Sequence, residues 1–158
     1  MIGWRQWRVD RAGRLRPAFR WTSERDRNDI LLWRPDGLTE AVCLREDYGY
    51  HRFSEDRNPA PHPQVPDERC SCGLYAWRSP QECSFDIEQL WTSLAFPFVV
   101  GVVRLGRRIV VAERGYRAQA GYPVAVLDRH GIVASTYPVA RYRTWEALVA
   151  EWDLQSAA

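Results

Sequence analysis

The sequence contains no lysine, although it carries 22 basic residues. Every basic side chain apart from histidine is therefore an arginine, whose planar guanidinium group binds phosphates and carboxylates through paired hydrogen bonds. A genome rich in G and C, which favours arginine codons, explains the same bias. Because 20 acidic residues bring the net charge to only +2, charge alone does not predict a polyanion-binding protein.

The sequence also lacks a long apolar run. The longest, Leu94–Val103, is much shorter than the roughly 18 residues of a membrane-spanning helix, and the N-terminal residues contain no apolar segment typical of a signal peptide. These absences predict a cytoplasmic protein without a membrane partner. In that compartment the four cysteines are predicted to be metal ligands or buried thiols, since disulfides are rare there.

Known catalytic signatures are missing as well. The sequence contains no G-x-S-x-G elbow, P-loop, H-E-x-x-H motif or dinucleotide fingerprint. Of the three histidines, only His130 lies outside the predicted metal region, and its position beside Gly131 in a predicted turn favours a surface role. The sequence therefore predicts a protein that is not an enzyme.

The patterns that are present predict one α+β domain over residues 1–158. We expect N-terminal strands over residues 1–44, a metal-tied loop over residues 45–77, and a helix, β-hairpins and a C-terminal helix over residues 78–158. The sheet is expected to be antiparallel and strongly bent, or to close into a small barrel. A PUA-like or SH3-like barrel suits the strand-rich second half, on analogy of fold alone.

Alternating apolar and polar residues predict the strands. Gly106 and Arg107 are predicted to form a hairpin turn, and Gly115–Tyr122 to form a loop. Ser79, Pro80 and Glu82 predict a helix start that places Cys83 on the buried face, and Thr144 is expected to cap the last helix. The predicted strands are Gly3–Asp10, Leu15–Trp21, Ile30–Trp33, Leu38–Leu44, Phe98–Leu105, Arg108–Glu113, Pro123–Leu127 and Ile132–Ser135.

Cysteine and histidine residues lie at both ends of a proline-rich segment, Arg45–Arg69, which is predicted to be a loop. A structural zinc ion takes four such ligands at tetrahedral geometry. His51 is the alternative to His62. The metal would stabilise a loop that has little apolar surface of its own. The predicted ligands are Cys43, His62, Cys70 and Cys72.

Other interpretations of the cysteines remain open. The cysteines could instead be unconnected thiols, and the histidines ordinary surface residues. A redox pair is less favoured, because Cys70 and Cys72 are separated by one residue and not by two as in thioredoxin-like motifs. An iron–sulfur cluster would need Cys83, which is predicted to be buried in the core. Four protein ligands would leave no open position for a catalytic water, so the predicted metal is structural.

Arginines and tyrosines are interleaved over Val100–Pro123. Arginine pairs with phosphate and tyrosine stacks on bases, so the segment predicts a site for single-stranded nucleic acid or a modified base. A solvated hairpin end, with its arginines paired to acidic residues, explains the same pattern. The candidate ligand-binding residues are Arg104, Arg107, Arg108, Arg114, Tyr116, Arg117 and Tyr122.

The motif H-x7-C-S-C-G-L-Y-A, followed by G-V-V-R-L-G-R-R-I-V-V-A-E-R-G-Y-R-A-Q-A-G-Y-P, resembles a family of small actinobacterial proteins of uncharacterised function. The resemblance covers roughly Trp33–Pro123. It implies that the four predicted metal ligands belong together, and it implies no activity.

These patterns predict a non-catalytic, zinc-stabilised recognition module that binds nucleic acid or a modified base. The first alternative is a protein–protein adaptor whose exposed tryptophans and arginines form the contact surface. The second is a redox or small-molecule enzyme that uses the cysteines. The sequence predicts no oligomeric state.

Overall fold

A computed structural model describes residues 1–18, 32–43, 64–83 and 97–156 of the chain. Predictions for other positions, including His51, His62 and most of the long loop, lie outside these residues. A helical turn begins at residue 80, and the C-terminal helix spans Trp145–Ser156. The strands are β1 (Ile2–Val9), β2 (Leu15–Pro17), β3 (Thr39–Glu40), β4 (Leu74–Trp77), β5 (Phe98–Val111), β6 (Gly115–Leu127) and β7 (Ala140–Tyr142).

The strands form one mostly antiparallel sheet. Strand β1 pairs with β2, β4 and β5, and β6 pairs with β3, β4 and β5, while β7 runs parallel to β6. The pairings β1–β5, β5–β6, β6–β4 and β4–β1 therefore form a closed circuit, in which the last is a single contact between Trp4 and Trp77. This arrangement confirms the predicted α+β class and a mostly antiparallel sheet.

The predicted N-terminal hairpin is present, and Asp10 organises its turn. The Asp10 carboxylate accepts hydrogen bonds from the backbone N–H groups of Ala12 and Arg14, at 2.9 and 3.0 Å. It also accepts bonds from the Nε atoms of Arg14 and Arg16, at 2.8 and 3.0 Å. Burial alone would raise the pKa of Asp10, but these hydrogen bonds outweigh burial and lower the pKa below its usual value.

The predicted hairpin turn at Gly106 and Arg107 is wrong. Strand β5 continues through these residues, and the chain reverses after Val111, where the Ala112 N–H donates to the Gly115 carbonyl at 2.9 Å. Gly106 pairs with Ala120 and Ile109 with Ala118, so two arginines, Arg107 and Arg108, lie opposite one residue of β6. The segment is a β-bulge, and a φ of 60° at Arg107 provides the required backbone turn.

The prediction that Gly115–Tyr122 is a loop is also wrong, because this segment is the first part of β6. Its small residues suggested irregular structure, but Ala118 and Ala120 are fully buried in the sheet interior. Pro123 lies in the same strand beside a second register shift, between Val102 and Val103. The bulge there accommodates a residue that cannot donate a ladder hydrogen bond.

The predicted strand Ile132–Ser135 is replaced by turns. The buried carboxylate of Asp128 accepts hydrogen bonds from the backbone N–H groups of Ile132 and Val133, at 2.8 and 3.2 Å, and from Arg141 at 2.8 Å. These side-chain bonds satisfy backbone donors that a strand would have paired with a neighbour. The predicted strand Leu38–Leu44 shortens to Thr39–Glu40, and Cys43 follows it.

Both faces of the first half of β5 are covered. Val99, Val103 and Leu105 belong to one apolar cluster, whereas Val100 and Val102 belong to a second one. Leu148 and Trp152 of the C-terminal helix pack in the second cluster. Thr144 caps that helix as predicted, since its Oγ1 accepts a hydrogen bond from the Ala147 N–H at 3.3 Å. Within the described residues, no helix is long and apolar enough to cross a membrane.

Candidate metal centre

Three of the predicted ligands come together in space. The Sγ atoms of Cys43, Cys70 and Cys72 all lie within 4.8 Å of one another, and the distance between those of Cys43 and Cys70 is 3.8 Å. Cys43 follows strand β3, whereas the other two lie in the segment of residues 64–73, here called the cysteine loop. The four cysteines, all within the described residues, form no disulfide bonds. The three sulfurs could hold a metal ion.

Two side chains of the sheet hold the cysteine loop by its backbone. The Arg117 Nη1 donates to the carbonyl oxygens of Asp67 and Cys72, both at 3.2 Å, and to that of Cys70. The Tyr75 hydroxyl donates to the Ser71 carbonyl. Tyr75 on β4 and Arg117 on β6 are register partners in the sheet. Together they bind all three carbonyls of the C-S-C motif.

Gly73 lets the loop join β4 close to β6. Its φ of 126° lies in a region that side-chain-bearing residues rarely adopt. A Cβ atom at this position would lie 3.2 Å from the Cβ atoms of both Arg117 and Pro66. Glycine therefore suits the tight backbone that follows the two cysteines.

The cysteine sulfurs are partly withdrawn from water. Cys70 is buried, and Cys43 and Cys72 are half-buried. Burial first, and then the neighbouring Cys70 and Cys43, together raise the pKa of the Cys72 thiol to about 12, although a backbone hydrogen bond at Asp67 lowers it. Without a cation Cys72 therefore favours the thiol over the thiolate. A bound metal ion reverses this preference, because a coordinated thiol loses its proton.

Cys83 lies apart from this cluster. It is fully buried in the apolar group that contains Trp4 and Leu148, which agrees with its predicted place on the core side of a helix. The Gln6 Nε2 donates to its carbonyl oxygen at 2.6 Å. The predicted fourth ligand, His62, and its alternative, His51, lie outside the described residues. His130 is exposed in a turn.

Several of the candidate ligand-binding arginines have partners inside the protein. Arg107 forms an ion pair with Glu40 at 2.6 Å, and Arg108 donates to the Gln64 side chain at 3.0 Å. Arg114 pairs with Glu82 at 3.2 Å. Arg117 is bound to the cysteine loop. Arg107, Arg108 and Arg114 are thus both paired and exposed, whereas Arg117 is half-buried against the loop.

The members that face solvent lie along the β5–β6 hairpin. Arg104, Arg107 and Arg108 are exposed on β5, and the last two project from the bulge. Arg104 also lies over the ring of its register partner Tyr122, with 5.9 Å between the guanidinium carbon and the ring centroid. We call these four residues the basic strip. Tyr116 lies apart from it, beneath Arg78.

No protein family, no curated protein and no solved structure matches this chain. The resemblance to an actinobacterial family stays a prediction, and a function has to be inferred from the geometry of the chain's own residues.

Tyr75 was not among the predicted residues of the metal region. Its hydroxyl binds Ser71, the residue between two predicted ligands, although its side chain is 44% exposed. In the sequence, only its position five residues after Cys70 indicated that Tyr75 could reach the metal region. Its neighbour in the strand, Ala76, is buried in the core, so the Tyr75 side chain lies on the opposite face. Gln64 and Glu40 were not predicted either, because each contacts an arginine that is distant in the sequence.

Proposed function

We propose that Cys43, Cys70 and Cys72 hold a structural zinc ion, with His62 as the fourth ligand. Zinc binds thiolate sulfurs at about 2.3 Å, and tetrahedral geometry then separates two sulfurs by about 3.8 Å. The observed distance of 3.8 Å between two of the sulfurs fits this value. The convergence of three cysteines from two separate segments is the observation that carries the proposal.

Four protein ligands would close the coordination sphere and leave no site for a reacting water. The ion would instead fasten the cysteine loop to the sheet and to the segment after β3. We therefore assign the protein a recognition role without catalysis, in the cytoplasm, where cysteines stay reduced. The closed strand circuit suits the analogy with small PUA-like or SH3-like barrels, which rests on fold alone.

The basic strip is the surface that we assign to recognition, and single-stranded nucleic acid is its proposed ligand. The bulge directs two consecutive arginines outward, and Arg104 adds a third about 10–13 Å along the strand. Guanidinium groups at such spacing can bind successive phosphates, while the Tyr122 ring offers a base a stacking surface. The hydrogen bond between Arg108 and Gln64 links this strip to the cysteine loop.

Elemental analysis of the purified protein tests the metal. One zinc per chain is expected, and it should be lost in Cys70→Ser and in Cys72→Ser. Cys83→Ala is the matched control, because it removes a buried thiol that lies outside the cluster. Absence of metal from the wild-type protein, or its retention in both serine variants, contradicts the zinc site.

Fluorescence anisotropy with labelled single-stranded DNA, single-stranded RNA and duplex DNA tests the ligand. Binding should weaken as salt rises, and Arg104→Ala or Arg108→Ala should reduce the slope of log K against log salt by roughly 0.7 each. Arg143→Ala removes an exposed arginine outside the strip and should leave binding unchanged. No binding of any probe at low salt contradicts the proposal, and a protein that co-purifies after nuclease treatment would favour the adaptor.

A further inference from the structure

Two polar side chains of the sheet, Arg117 and Tyr75, bind the backbone of the cysteine loop. Cys70, Ser71 and Cys72 present three successive carbonyl oxygens, and each accepts a hydrogen bond from Arg117 or Tyr75. The two donors are partners in the β4–β6 register. The sheet therefore determines where the loop backbone lies through bonds to carbonyl oxygens.

We propose that Arg117 and Tyr75 are positioning residues for the metal, holding Cys70 and Cys72 in the geometry that binds it. This inference rests on the proposed zinc site. Two cysteines separated by one residue need a tightly curved backbone if both sulfurs are to face one ion. Bonds to the carbonyls between and beside them fix that curvature before the metal arrives, so less conformational freedom is lost on binding.

Arg117 has a second effect, which is electrostatic. Zinc carries two positive charges, and three thiolates with one neutral histidine give the occupied site a net negative charge. The guanidinium group lies against the backbone of two of the ligands, where its positive charge offsets that excess. All three bonds come from the Nη1 atom, so a lysine ammonium that reaches the same place would keep the charge and part of the hydrogen bonding.

The test is competition for zinc against a chromophoric chelator, with the full chain and its variants. Removal of such supporting partners of metal ligands typically costs about 10–100-fold in affinity, and this is expected for Arg117→Gln. Tyr75→Phe removes one hydroxyl and is expected to cost about 2–10-fold. Arg143→Gln is the matched control, because Arg143 also donates to a backbone carbonyl, at 2.5 Å, in another part of the chain. Its affinity should equal that of the wild type.

A general loss of stability is separated from lost positioning by two readouts. Thermal unfolding of the metal-free proteins should place Tyr75→Phe close to the wild type. Cobalt-substituted Arg117→Gln should show weaker sulfur-to-metal charge-transfer absorbance at saturation, because one sulfur is no longer held in place. Arg117→Lys should recover part of the affinity, and it carries the test if the glutamine variant does not fold.

Affinities for zinc within twofold of the wild type in Arg117→Lys, Tyr75→Phe and any folded Arg117→Gln would overturn the positioning role and leave the zinc site standing. A wild-type chain that takes up neither zinc nor cobalt would overturn both. An unchanged cobalt spectrum together with equal loss of affinity in Arg143→Gln would also overturn it, since the effect would then be unspecific.

Discussion

The C-terminal helix packs on its part of the sheet with apolar side chains, whereas the cysteine loop is joined to β6 through its backbone carbonyls. Leu148 and Trp152 pack against Trp4, Val100 and Val102. The cysteine loop instead contacts Arg117 and Tyr75 through polar bonds. Hydrophobic burial stabilises the first contact at all times, but the second should reach full stability only when a metal joins its three sulfurs.

The largest expected effect separates the two regions by removing the metal. Cys70→Ser should abolish the stabilisation by zinc, which amounts to about 4 kcal/mol when free zinc is a thousand times its dissociation constant. Urea denaturation with and without a chelator measures it. The wild type should lose this stability in chelator, whereas the variant should show no further loss. Cys83→Ala should keep the response to chelator, because Cys83 belongs to the helix side.

The next effect tests the helix side. Leu148 is fully buried, and its replacement by alanine should cost about 3 kcal/mol, within the range for such cavities. The loss should be the same in zinc and in chelator, because the cavity lies in an apolar cluster to which the three sulfurs do not belong. Val149→Ala, at a half-buried neighbour, should cost less. A loss for Leu148→Ala that depends on zinc would show that the two regions are coupled.

A third prediction addresses the backbone of the cysteine loop. Gly73→Ala forces a side chain into a φ of 126° and should cost about 1–2 kcal/mol. Zinc affinity should fall with it, since the new Cβ atom would press on Arg117. Gly37→Ala is the control, because a Cβ atom there meets nothing within 4 Å. If both variants bind zinc equally well, the loop does not need its strained backbone.

The helix side was the easier one to predict from the sequence. Apolar residues at helical spacing place Leu148 and Trp152 on one face, and Thr144, a favoured N-cap residue, predicts where the helix begins. In the cysteine loop, the cysteines were predicted from their chemistry, but the contacts that hold their backbone were not. Arg117 was recognised as a binding residue, yet its partners are backbone carbonyls, which have no signal in a sequence.

The first part of β6, Gly115–Tyr122, was wrongly predicted to be a loop for a different reason, whereas the rest of the strand, Pro123–Leu127, was predicted correctly. Alanine and glycine carry little apolar surface, so hydrophobic alternation over Gly115–Tyr122 is weak. These small residues allow close packing, as at Gly115, where a Cβ atom would lie 2.4 Å from the Ala76 carbonyl oxygen. Such contacts depend on which strands become neighbours, and that is a property of the whole sheet. The bulge at Arg107 likewise depends on the register of β6.

The smallest predicted effect concerns the Asp10 turn, and it tests whether polar contacts outside the cysteine loop also depend on zinc. Asp10 binds its turn without metal, and hydrogen bonds lower its pKa in the folded protein. As the pH falls, the unfolded chain takes up the Asp10 proton first, so the contribution is complete above the unfolded pKa, near 3.8, and is lost as the pH falls through the lower folded value. Asp10→Asn should remove a stabilisation of at most about 1 kcal/mol at neutral pH.

Urea denaturation of chelator-treated protein from pH 7 downwards measures this difference without interference from metal release. The curves of the wild type and Asp10→Asn should be separate at neutral pH and converge below the folded pKa. Asp36→Asn is the control, because the ion pair of Asp36 with Arg34 is exposed on both sides and should leave the curve unchanged. If zinc alters the difference between wild type and Asp10→Asn, the turn and the cysteine loop are not independent, and the contrast between a metal-dependent region and the rest of the fold fails.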